Sequence, residues 1–147
     1  TKRALLISKK TKRRIQEVFR RCGAPQLFIY YTFAVGVYHL IRRHSIKHSF
    51  VIDTEYPGKD KIIGQVIQRL LEIYRKPAHA VSFRRIGNRP VVHYAAHDMF
   101  VRKKNADDIL SFETCIEAIK KTDGRLRECL STLVGVQARS LKYKISK

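Results

Sequence analysis

The chain is 147 residues long and sets 31 Lys and Arg against 12 Asp and Glu, a formal net charge of +19. Hydrophobic residues are 44% of it and charged residues 29%, which excludes a wholly disordered chain and suits one compact domain over residues 1–147. An excess of positive charge this large points to a polyanion, with nucleic acid ahead of an anionic membrane face.

Cys22, Cys115 and Cys129 are odd in number, lie far apart and form no CxxC pair. Neither a disulfide framework nor a zinc ribbon is expected from them, and they read as small buried apolar residues in a reducing compartment. The first 14 residues are mostly Lys, Arg and Thr around Ala4-Leu5-Leu6-Ile7 and do not resemble a secretory signal. An intracellular, cytoplasmic location is the expectation.

Residues 1–21 hold nine Lys or Arg and one acid, Glu17. Ile15, Val18, Phe19 and Cys22 fall at the spacing of an apolar helical stripe, with Ser8 or Thr11 as cap and Gly23 and Pro25 as the stop. Residues 1–22 are thus predicted to form a basic amphipathic helix. From Cys22 to Ile41 there is no formal charge, but Gly23, Pro25, Gln26, Thr32, Gly36 and His39 interrupt the run. Its dense part, Leu27 to Ile41, suits a buried core helix better than a bilayer span of about 20 residues. A strand over Leu27 to Tyr31 is the alternative.

Ser49 to Asp53 reads as a short strand, and Pro57-Gly58 as a turn with Asp60 at a helix cap. Ile62, Ile63, Val66, Ile67, Leu70, Leu71 and Tyr74 make a strong helical stripe that Pro77 closes. Ala80 to Ile86 reads as a second strand. Strand, helix of about four turns and strand form a βαβ unit, which implies parallel pairing. A further helix is expected from Pro90 to about Lys104. Two stripes follow, Phe112-Cys115-Ile116-Ile119 behind a Ser111 cap and Leu126-Cys129-Leu130-Leu133-Val134 after Gly124. Leu141, Tyr143 and Ile145 suit a terminal edge strand. The fold class is therefore α/β, a short parallel sheet with a βαβ core flanked by helices.

Candidate chemistry gathers at one sheet edge. Asp53 and Glu55 stand two apart at a strand end, where both side chains share a face if the extended geometry persists. Paired carboxylates there can hold Mg or Mn, with Asp98 or Asp107 as a third acid. Ligands of open parallel sheets bind beyond the carboxyl ends of strands, and the loop Gly87-Asn88-Arg89 lies at such an end with Arg84 and Arg85. His93 is the candidate acid or phosphate donor from the first turn of its helix. His93 and His97 have the i, i+4 spacing of a zinc helix but Tyr94 stands where its glutamate belongs. Phosphate contacts are expected from Lys9, Lys10, Lys12, Arg13, Arg14, Arg20, Arg21, Arg84, Arg85, Arg89, Arg102, Lys103 and Lys104.

The segments Val51-Ile52-Asp53-Thr54-Glu55-Tyr56-Pro57-Gly58 and Ile86-Gly87-Asn88-Arg89-Pro90-Val91-Val92-His93 carry a resemblance over residues 50–115. They resemble small uncharacterised α/β proteins predicted to be ribonuclease H-like nucleases. The resemblance implies a metal-dependent nuclease fold with Asp53, Glu55 and His93 at its site. Asn88 stands where that pattern has Lys, and Pro90 where it has Ser.

Residues 1–50 contain no Asp and only Glu17, one acid short of a ribonuclease H site. A nucleic-acid-binding protein, RNA ahead of DNA, within a ribonucleoprotein assembly therefore ranks first, and needs no cofactor. A Mg-dependent or Mn-dependent ribonuclease H-like nuclease ranks second, and a protein anchored on an anionic membrane through residues 1–43 third.

Overall fold

The computed structural model describes residues 3–45, 48–76, 80–87, 94, 96–98 and 106–133. Its elements run β1 (Leu5–Leu6), α1 (Lys9–Arg21), a 3-10 turn Pro25–Leu27, α2 (Phe28–Arg43), β2 (Phe50–Asp53), α3 (Asp60–Ile73), β3 (Val81–Arg84), β4 (Asp108–Ile109) and α4 (Phe112–Thr122). A further helical stretch covers 124–133. The architecture is mixed α/β.

α1 forms over the apolar stripe but, because Leu5–Leu6 ahead of it pair as strand β1, begins at Lys9 and does not extend over the whole of 1–22. Ser8 caps its start by accepting the Thr11 N–H at 3.1 Å, which satisfies one of the amides a helix leaves free. Ile15, Val18 and Phe19 are its buried face. Gly23 follows the helix with φ +71°, a left-handed turn that glycine adopts at no steric cost. The charge-free run after it forms the 3-10 turn Pro25–Leu27 and then α2, so the strand alternative at Leu27 to Tyr31 does not hold. α2 buries Tyr31, Ala34, Val35, Tyr38 and Ile41, and contributes aromatic mass to the core: Phe19 and Tyr31 rings lie 5.7 Å apart, Tyr38 and Tyr74 rings 5.4 Å apart and nearly parallel. Among the described residues, no helix is long and apolar enough to cross a membrane.

The βαβ unit is present. β2 and β3 pair in parallel with Phe50 opposite Val81, Ile52 opposite Phe83 and Asp53 opposite Arg84. Phe50, Ile52, Val81 and Phe83 are the less exposed positions and Val51, Ser82 and Arg84 the exposed ones, the alternation of a sheet with one covered face. α3 packs on it and on α2, burying Ile63, Val66, Ile67, Leu70 and Leu71. Gly64 lets the layers close, because a Cβ there would stand 3.3 Å from Cε2 of Phe83. Two local expectations are corrected. Lys59, not Asp60, is the cap of α3, and Asp60 is its first helical residue, where a carboxylate suits the positive end of the helix dipole. The helix also ends ahead of Pro77, at Tyr74 with Arg75 in the left-handed region at φ +50°.

β1 and β4 form a second parallel pair, Leu5 with Asp108 and Leu6 with Ile109. The strands thus make two separate two-stranded sheets where one was expected. α4 starts at the predicted cap, Ser111 Oγ accepting the Thr114 N–H at 3.1 Å. Asp123, rather than Gly124, divides it from the next helical stretch. Its Oδ1 accepts the N–H groups of Arg125 and Leu126 at 2.9 and 3.1 Å, and its Oδ2 accepts the Tyr31 hydroxyl at 3.1 Å. Of the helix expected over Pro90 to Lys104, residues 94 and 96–98 are helical; its remainder and the edge strand at Leu141 to Ile145 lie outside the described residues.

The cysteines depart from expectation. Cys22 and Cys129 form a disulfide, with Cα atoms 5.8 Å apart across a sequence separation of 107. It ties the end of α1 to the stretch 124–133. Cys115 alone is free and buried, with its thiol pushed up to about 11 by burial. A disulfide persists in oxidising surroundings, so the cysteines no longer argue for a reducing compartment.

Candidate nucleic-acid interface

Helix geometry turns the seven cations of α1 outward as its apolar stripe turns in. They fall into two groups. Arg20 and Arg21 both reach Glu17, at 2.8 and 3.0 Å, and these guanidiniums hold the Glu17 carboxyl below its ordinary range. Arg14 lies 3.9 Å over the Phe112 ring and 3.8 Å from Glu113. These three are partly spent inside the fold. Lys9, Lys10, Lys12 and Arg13 are exposed, and among the described residues no ion pair engages them.

Lys9, Lys10 and Lys12 also stand in the first turn of α1, which holds no acid, with Arg13 next along. The positive end of a helix dipole disfavours cations there by about 0.3–1 kcal/mol each at an exposed site. Folding alone gives no reason for such a placement, whereas a bound anion meets both the ammonium groups and the helix end favourably.

The sheet edge is arranged differently from expectation. β2 ends at Asp53, and the chain folds back at once: the Glu55 N–H donates to the Asp53 carbonyl at 2.9 Å. That three-residue turn breaks the strand alternation, so spacing no longer puts the two carboxylates on one face. Asp53 Oδ1 accepts the Ile86 N–H at 3.0 Å and the Thr54 N–H donates to the Arg84 carbonyl at 3.3 Å. Together these bonds latch the ends of β2 and β3. Glu55, Arg84 and Arg85 are exposed at this edge. His93, Arg89, Arg102, Lys103 and Lys104 lie outside the described residues.

Asp107 does not join them. Its Oδ2 accepts the Ala4 N–H at 2.7 Å and its Oδ1 lies 3.4 Å from Arg3, at the head of the β1–β4 pair. The Ala4 amide first, then Arg3, lower its pKa. Among the described residues no three His, Cys, Asp or Glu side chains gather to hold a metal, and one oxygen of Asp53 is already engaged.

Sequence reasoning missed a ring cluster beside α1. Tyr56 meets Tyr30 and Phe33 edge-on, each at 5.5 Å, and Lys59 lies 5.6 Å over the Tyr30 ring. The i, i+3 spacing of Tyr30 and Phe33 was legible, but the turn that brings Tyr56 to them was not. Comparison with protein-family models, curated proteins and solved structures gave no match.

Proposed function

We propose that this protein binds nucleic acid, RNA ahead of DNA, within a ribonucleoprotein assembly, and that the first turns of α1 supply the principal phosphate contacts. The carrying observation is the group Lys9, Lys10, Lys12 and Arg13, exposed and without ion pairs among the described residues, the first three set against the helix dipole. Arg84 and Arg85 extend the basic surface at the β2–β3 edge. Phosphate neutralisation releases counterions, so affinity falls linearly in log salt. Titration of a single-stranded RNA between low and physiological salt tests this. Changing the four α1 cations to Gln is expected to lower the slope by about 0.7 for each phosphate no longer neutralised. A flat salt dependence, or an unchanged slope in that variant, overturns the reading. Duplex DNA as a second probe decides the nucleic acid.

A ribonuclease H-like nuclease is the second reading, favoured by the parallel strands that end together at Asp53 and Arg84 with Glu55 beyond. Labelled RNA and DNA left intact with both Mg and Mn would remove it. Cleavage lost in Asp53→Asn with binding kept would support it. Association with an anionic membrane is the third, tested by sedimentation with liposomes beside RNA binding at equal ionic strength.

A further inference from the structure

A groove of about 460 Å³ runs between α1 and α2, with Tyr56 on its far side. That size lies in the range of about 300–1,000 Å³ typical of small-molecule sites. α2 builds its floor. Besides the stripe buried in the core, Ile29, Phe33, Gly36, Val37 and Leu40 repeat at helical spacing and line the groove with Ile7. Gly36 lies beneath β1 and the residue after it, the nearest atoms to a Cβ there being Ile7 Cδ1 at 3.8 Å and Leu5 Cδ2 at 3.9 Å. Thr32, the hydroxyl on this face, donates to the Phe28 carbonyl at 2.6 Å, so the floor is hydrocarbon and ring.

The wall on the α1 side is cationic. Lys9, Lys12 and Arg13 line the groove, and among the described residues none that lines it is an Asp or Glu. An apolar slot with cations along one rim and no acid matches a hydrocarbon chain that ends in an anion. A stacked base suits it less well, because the rings of Phe33 and Tyr56 already meet edge-on.

We propose that this groove binds a single-chain anionic amphiphile, an alkyl phosphate or long-chain carboxylate, with its chain along α2 and its head group on Lys9, Lys12 and Arg13. The proposal does not rest on the nucleic-acid reading, although the two share cations.

Calorimetric titration of the full, oxidised chain with n-decyl phosphate below its micelle threshold tests it. Saturable binding is expected, about tenfold tighter for decyl than for octyl phosphate because two further CH₂ groups leave water. Decanol is expected to bind at least tenfold more weakly than decyl phosphate, and decanoate between them. Val37→Trp fills the groove from its half-buried place on the floor and should lose at least tenfold for decyl phosphate with RNA binding kept. That last result separates this proposal from the nucleic-acid reading. No saturable binding, equal affinity for decanol, or full affinity in Val37→Trp overturns it. Should that variant fail to fold, an affinity independent of chain length in the unmodified protein overturns it equally. Binding to anionic phospholipid vesicles without binding of the monomeric probe overturns the groove in favour of a membrane face.

Discussion

Tyr31 shows how one side chain joins distant parts of the chain. Its ring packs against Phe19, and its hydroxyl donates to Asp123, which caps the stretch 124–133. Burial first, then the Asp123 charge, push its pKa up to about 12. The folded state thus favours the protonated phenol, so its contribution is complete below the ordinary tyrosine pKa of about 10 and is lost as pH rises toward 12. Tyr31→Phe is expected to cost about 1–3 kcal/mol at pH 8, because it strips a buried bond to a charged acceptor. Urea unfolding of both proteins should show the difference steady between pH 7 and 9 and shrinking above 10. A difference that grows with alkalinity contradicts this. Gly64 is a second single-residue constraint. Its Cβ position faces Phe83 at 3.3 Å, so Gly64→Leu should destabilise by about 1–3 kcal/mol through overpacking between α3 and β3. Thermal unfolding checks it, and an unchanged midpoint would show that Phe83 can move aside.

At the scale of elements, α1 sets stability against binding. Lys10 sits in its first turn with no acid nearby. Lys10→Glu should therefore stabilise the fold by about 0.3–1 kcal/mol through the helix dipole, and should weaken RNA binding in the same protein. Chemical unfolding and RNA titration of that one variant read both signs, and a loss of stability would contradict the argument. What the sequence discloses at this scale depends on pattern length. α3 repeats its apolar residues over 14 positions, β2 is a short apolar run and β3 alternates, so the βαβ unit and its parallel sense were readable. β1 and β4 have two residues each and pair across more than 100 positions, too short for any period to show. The candidate site was readable only in part for a related reason. The basic face of α1 follows from one helical period, but which of its cations are paired, and the fate of Asp53 and Glu55, depend on Glu113, on a backbone turn after β2 and on the Ile86 amide, none of which side-chain spacing encodes.

For the whole molecule, the Cys22–Cys129 bridge changes how the chain is held. It closes a loop of 107 positions between α1 and the stretch 124–133, elements whose neighbours Phe19, Tyr31 and Leu130 lie in the same core. Spacing could not disclose it, since three lone cysteines allow several pairings and none is local. A bridge across so long a loop removes much freedom from the unfolded chain, and its loss is expected to cost about 2–5 kcal/mol. Cys22→Ser, Cys129→Ser and the double variant should all fall by the same amount, because either single change already opens the loop. The thiol count gives an independent check. Ellman's reagent should find one reactive thiol, the buried Cys115, in the denatured oxidised protein and three after reduction. If the single variants fall by different amounts and the oxidised chain shows three thiols, the bridge is absent and the shared core alone joins α1 to 124–133. RNA binding supplies the contrasting readout. Lys9, Lys10, Lys12 and Arg13 sit at the opposite end of α1 from Cys22, so opening the loop at a temperature where the core survives should leave the salt slope of binding unchanged.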